Sequence, residues 1–181
     1  MRKFAAIALA AALLAGINLA YAGGEVVDLG GISVKVPDGW TKQKPTSKLR
    51  KYQFSLPKVD GDKEDGDLAV FQAIGGSVEA NVERWKGQFL PPKGKSIDDV
   101  SKLDKFMLGK TTDVVVFDVS GTYLYRNPGD PNSQVERKEN FRRINVLLDT
   151  DKGTYSITLT GPAKTIAKHK DSFDSWLKSF K

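Results

Sequence analysis

The run Val114-Val-Val-Phe-Asp-Val119 constrains this chain more than any other stretch. Three β-branched residues in a row, a ring and a fourth valine lose side-chain freedom in a helix and suit a pleated strand. The pattern extends through Gly121 to Tyr125. Phe141 to Leu148 and Tyr155 to Leu159 read as two more strands, joined across Asp149–Gly153 as a hairpin. Earlier in the chain, Glu25–Leu29 and Ile32–Val36 flank Gly30-Gly31 as an opening hairpin. Tyr52, Phe54 and Leu56 alternate with Gln53 and Ser55, and Pro57 ends that strand. Leu68 to Ile74 is nearly all apolar, which predicts a central strand covered on both faces. Phe106–Leu108 predicts a short strand, and 127–140 a polar loop.

Two segments change period. Gly75-Gly76-Ser77 stops a strand, and Ser77 is placed to cap a helix over 78–88, with Glu79 in its first turn. Val78, Val82, Trp85 and Phe89 fall in one narrow wedge of that helix. After Gly161-Pro162, residues Ile166, His169, Phe173, Trp176, Leu177 and Phe180 recur at three- and four-residue spacing as an apolar stripe. Strands, helix, strands, helix is the order of an α+β domain: a mainly antiparallel sheet whose faces the helices cover.

The N-terminus predicts export. Met1-Arg2-Lys3 is basic, Phe4 to Leu19 is an Ala- and Leu-rich apolar run, and Ala20-Tyr21-Ala22 is a small-x-small cleavage pattern. Residues 1–22 read as a cleavable signal peptide and 23–181 as one domain. The run is short for a membrane anchor, so no integral membrane protein is expected after cleavage. The chain has no cysteine, which removes lipid attachment, disulfides and thiolate ligands. A periplasmic or secreted location follows. Lys and Arg number 28 against 22 Asp and Glu, a mild excess spread along the chain, so no nucleic-acid partner is expected.

Few residues offer chemistry. Asn81, Arg84 and Gln88 share one flank of the predicted helix, an amide and guanidinium ledge. They either satisfy backbone carbonyls or contact a ligand or partner, with Arg84 as the anion-binding member. Gly75, Gly76 and Ser77, ahead of a helix, could offer backbone amides to an anion, but no Walker lysine or G-x-G-x-x-G accompanies them. The acidic run Asp60–Asp67 fails the EF-hand register: its sixth position is Asp65 and its twelfth Phe71. It reads as a solvated loop. His169 is the single histidine, and no G-x-S-x-G elbow accompanies it. Asp98-Asp99 are adjacent and face apart. No catalytic residue, metal site or cofactor is therefore assigned.

Val36-Pro-Asp-Gly-Trp40 resembles the strand and P-x-G-W turn of the PsbP-like and Mog-type superfamily. Gly161-Pro162 followed by Phe173, Trp176, Leu177 and Ser179-Phe180 resembles its last helix. Gly75–Asn81, Arg84-Trp85, Gln88-Phe89 and Ser120–Tyr123 are also similar to uncharacterised exported bacterial proteins. The resemblance implies an α/β/α sandwich with helices on both faces of an antiparallel sheet. It implies accessory or assembly roles and carries no site residue with it. The expected function is a non-catalytic exported protein that binds an envelope partner or assists assembly. Binding of a small anionic ligand is the alternative, and a hydrolase using His169 the third.

Overall fold

The alternation of apolar and polar residues becomes strand register directly. The computed structural model describes residues 24–72, 75–127, 130 and 132–180. The predicted signal segment, Ala73-Ile74, Pro128-Gly129 and Pro131 lie outside these. Val26–Leu29 (β1) and Ile32–Lys35 (β2) form a separate antiparallel hairpin. Thr41–Lys42 (β3) edges Arg50–Leu56 (β4), which pairs with Gly66–Gln72 (β5). Val78–Lys86 is helix α1, Phe89–Leu90 is β6, and a 3₁₀ turn spans Asp98–Val100. Ser101–Leu108 (β7), Thr112–Tyr125 (β8), Glu136–Thr150 (β9) and Gly153–Pro162 (β10) follow, then Ala163–Leu177 as α2.

The main sheet runs β3-β4-β5-β10-β9-β8-β6, and β7 shares the β8 edge with β6. Every pairing is antiparallel. One face is the larger core. Phe54, Leu68, Ile144, Val146, Ile157 and Leu159 meet Ile166, Phe173 and Trp176 of α2 there, and the β1–β2 hairpin adds Val27, Leu29 and Val34. Trp40, set by the Pro37–Gly39 turn, packs edge-on to Trp176 at 5.4 Å between ring centroids. On the opposite face Val82, Trp85 and Phe89 pack on Val115, Phe117 and Val119 of β8 and on Phe141 and Leu147 of β9. Trp85 stacks on Phe117 at 6.2 Å.

The expected α/β/α sandwich is overturned. The protein is mostly antiparallel sheet, and the described residues contain two α-helices, one of them nine residues long. The reason is the chain available for a second helical layer. Gly87 ends α1 two residues early, and Gln88-Phe89 leave it to join β8, with Leu124 N–H donating to the Gln88 carbonyl at 2.8 Å. Ser101–Leu108 then runs as an edge strand, longer than the Phe106–Leu108 strand expected. The predicted polar loop 127–140 is also shorter, because Glu136–Asn140 extends β9. No helix among the described residues is long and apolar enough to cross a membrane.

Candidate functional site: the Arg143 cleft

The ledge predicted on α1 separates into structural and bridging parts. Asn81 is buried, and its Nδ2 donates to the Ser77 carbonyl at 2.9 Å and, at longer range, to those of Gly75 and Gly76. That amide pins the turn that starts the helix. Ser77 Oγ accepts from Ala80 N–H at 3.2 Å as the N-cap. Arg84 is exposed and donates to Asn81 Oδ1. Gln88 turns elsewhere: its Oε1 accepts from Nη1 of Arg143 on β9 at 2.8 Å. A cavity of about 630 Å³ lies beside the turn, lined by Gly76, Ser77 and Asn81 with Lys105, Met107, Asp113 and Asp149. Its amide is already committed to backbone carbonyls, so Gly75–Ser77, Asn81, Arg84 and Gln88 do not converge on one open point.

Gln88 leads to a residue that sequence reasoning missed. Arg143 projects from the middle of β9 onto the α1 side and donates Nη1 also to Tyr123 Oη at 3.1 Å. Both acceptors are uncharged. Nε of Arg143 is enclosed and has no partner among the described residues. Burial pushes its pKa below the ordinary guanidinium value; Tyr123 opposes that shift, Arg50 adds to it, Asp67 opposes it and Arg84 adds to it. Two residues on, Asn145 is fully buried with neither amide atom partnered. A strand interior that is otherwise apolar thus carries two polar groups in adjacent inward positions. That interruption of the Phe141–Leu147 alternation was the available sequence signal.

Aromatic rings wall this guanidinium. It lies 5.6 Å from the Tyr123 ring centroid, and Tyr123 stacks between Phe89 at 5.2 Å and Phe141 at 6.2 Å. Tyr125 follows at 6.2 Å from Tyr123. Lys138 Nζ sits 4.9 Å from the Tyr125 ring and 5.4 Å from that of Phe141. A β-bulge makes this possible. Gly121 pairs with Phe141 but Tyr123 with Lys138, so β9 carries one extra residue there. Asn140 takes it up at φ 56°, a conformation asparagine tolerates better than most side chains. Lys138 and Phe141 therefore reach the same wall.

The charged loop between β4 and β5 closes the other side. Asp67 accepts from Arg50 at 2.8 Å and from Gln53 at 2.6 Å, and Glu64 accepts from Lys138 at 2.8 and 2.9 Å. Asp65 turns away onto Ser55 Oγ and Lys58 N–H, which hold its carboxyl below the ordinary carboxylate value. Asp62 leaves the loop altogether and bonds Thr165 at the start of α2. The loop is largely solvent-exposed, as read, and its Asp62, Glu64, Asp65 and Asp67 are in addition bonded to neighbours. Between it and the tyrosines lies a cleft of about 110 Å³, floored by Arg143, Thr158 and Thr160.

Other candidates for chemistry are occupied. His169 Nε2 donates to the Pro57 carbonyl at 2.9 Å from the edge of α2. Asp118 takes a two-pronged bond from Arg142, 2.9 Å to Nε and 2.6 Å to Nη2. The described residues hold no group of three or more His, Cys, Asp or Glu side chains placed for a metal.

The chain matches no protein-family description and no curated protein. Among solved structures it is similar to the Pseudomonas aeruginosa protein PA94, whose function is unknown. The identity is 13%, over 85% of this chain and 93% of that one, with a TM-score of 0.44. A likeness of that degree says nothing about function.

Proposed function

We propose that this chain is an exported binding protein of the bacterial envelope, located in the periplasm or secreted, that recognises a partner or ligand rather than transforming one. The observation that carries the reading is the Arg143 cleft: an inward guanidinium whose two hydrogen bonds go to uncharged acceptors, reached past a wall of tyrosines. A half-buried cation with no carboxylate bonded to it costs stability, and a binding role explains keeping one. The engagement of His169, Asp62, Asp67 and Asp118 with their neighbours favours binding over a hydrolase. Export rests on the basic, apolar and small-x-small pattern of residues 1–22. Kinship with PsbP-like and Mog-type proteins belongs to the same proposal, through the Pro37–Trp40 turn and the last helix.

The test fractionates the host cells, locates the full protein and sequences its N-terminus; recovery in the cytoplasm with a start at Met1 removes the export reading. The protein is then immobilised and challenged with envelope and metabolite extracts. The reading expects a binder whose saturable affinity is reproduced after purification and weakened by Lys138→Glu or Tyr125→Ala. A binder indifferent to both substitutions, or no saturable binder at all, rejects the cleft as the working surface.

A further inference from the structure

Resting on that cleft, the inference here concerns what it holds: we infer that the Arg143 cleft binds a carboxylate, a flat group with one negative charge shared by two oxygens, carried on a small apolar or peptide body.

The guanidinium has two edges that can donate in parallel. Nη1 is spent on Gln88 and Tyr123. Nε has no partner among the described residues, and the guanidinium's hydrogen bonds to Gln88 and Tyr123 both leave from Nη1, on the side away from the Nε–Nη2 edge. The adjacent residue shows what such an edge does in this protein. Arg142, on the opposite face, grips Asp118 through Nε and Nη2 at 2.9 and 2.6 Å. Two parallel N–H donors match the two oxygens of a carboxylate, and this geometry is the reason arginine serves such groups better than lysine. Arg143 has the same edge, with no carboxylate of the described residues on it; its Nε is enclosed, so a ligand meets Nη2 first and reaches Nε as the surrounding wall shifts.

The charges that line the cleft balance, Arg50, Lys138 and Arg143 against Glu64, Asp65 and Asp67, so what matters is which of them are already paired. Charged groups that influence Arg143 include Arg50, Arg84 and Asp67. Asp67 is already held by Arg50 and Gln53. With Glu64 on Lys138 and Asp65 on the uncharged Ser55 hydroxyl and Lys58 N–H, Arg143 is the lining cation with no carboxylate bonded to it, and Arg84 adds to its repulsion. Asp65, Asp67 and Glu64 also line the cleft, which opposes a doubly charged tetrahedral phosphate more than a single carboxylate.

Size limits the rest of the ligand. About 110 Å³ takes a headgroup and little more, so the body must lie outward. There it meets Tyr125, Phe141 and the stem of Lys138, a surface suited to a ring or an apolar side chain. A free organic acid and the C-terminus of a peptide both offer this chemistry.

The test follows the arginine Nε–Hε resonances of the ¹⁵N-labelled full protein during titration. The probes are benzoate, benzamide, inorganic phosphate, and a short peptide ending in phenylalanine as the free acid and as the amide. Arg143→Lys assigns the signal. The expected result is saturable movement of the Arg143 signal with benzoate or the free-acid peptide, none with benzamide or the amidated peptide, and phosphate weaker by about tenfold or more. Tighter binding of benzoate selects a small acid as the source, and tighter binding of the peptide selects a C-terminus; either supports the inference. Arg143→Gln should abolish carboxylate binding, and because the wild-type titration decides the matter, poor folding of that variant leaves the test intact. An unmoved Arg143 signal with every carboxylate, or preference for phosphate, overturns it. A cleft-dependent binder found without any carboxylate effect would leave the binding reading standing and remove this one.

Discussion

Asp62 and Thr165 lie 103 positions apart in the chain and meet at the N-terminus of α2, where Asp62 Oδ2 accepts from Thr165 N–H at 3.0 Å and from its hydroxyl at 2.6 Å. The residue that precedes the helix, Pro162, has no side chain able to cap it. A carboxylate from the β4–β5 loop supplies the cap instead, and Thr165 Oγ1 returns a bond by accepting from Val59 N–H at 3.2 Å.

Replacing Asp62 with Ala should therefore destabilise the protein by about 2 kcal/mol, the loss of a cap whose acceptor is charged. Asp62→Asn should recover part of it. Urea denaturation of the three proteins measures this, and equal midpoints would show the contact to be idle.

Asp65 makes the protein sensitive to acid in a defined direction. Ser55 and then Lys58 donate to its carboxylate, so its folded pKa lies below the ordinary 3.8. Its contribution is present above the unfolded value and disappears as pH falls through the folded one. The difference in denaturation midpoint between wild type and Asp65→Asn should stay constant from about pH 7 to 5 and narrow below about pH 4. A gap unchanged in strong acid would contradict this.

The bulge at Asn140 sets up the aromatic wall, and its φ of 56° favours residues without a branched Cβ. Asn140→Gly should be nearly neutral, whereas Asn140→Val should cost about 1–2 kcal/mol. Thermal unfolding of both variants tests the point. Equal losses would mean the backbone conformation is unimportant there.

Gly121 stands opposite that bulge. A Cβ built on it would come 2.5 Å from the Leu90 carbonyl oxygen, closer than real contacts allow. Gly121→Ala should push β6 off β8 and cost about 1–3 kcal/mol. Faster hydrogen exchange at Leu124 N–H, which bonds Gln88, would report the displacement; unchanged exchange would count against it.

Much of the fold was legible because strand and helix periods are local properties. Val114–Val119 lies in β8, Tyr52, Phe54 and Leu56 turn inward or partly inward on β4, and Ile166, Phe173, Trp176 and Leu177 of the stripe pack from α2, with Phe180 joining them just past its end. Layering was misjudged because it depends on how many residues remain for a second helical face, and α1 stops at Gly87 after nine residues. The ledge illustrates the same division. Helical geometry placed Asn81, Arg84 and Gln88 on one flank, yet the groups that accept from or donate to them come from the preceding turn, from one another and from β9. Arg143 drew no attention because arginines in a strand, here the pair Arg142-Arg143, read as solvent-facing until their neighbours are known.

By itself the sequence determined the elements: apolar residues at period two or near 3.6 must be buried on one side, and glycines mark where the chain reverses. Only tertiary structure decided which polar groups found partners within the protein. Satisfaction of a hydrogen bond or charge depends on distance between residues remote in sequence, such as Asp62 with Thr165 or Gln88 with Arg143, and no local pattern encodes that distance.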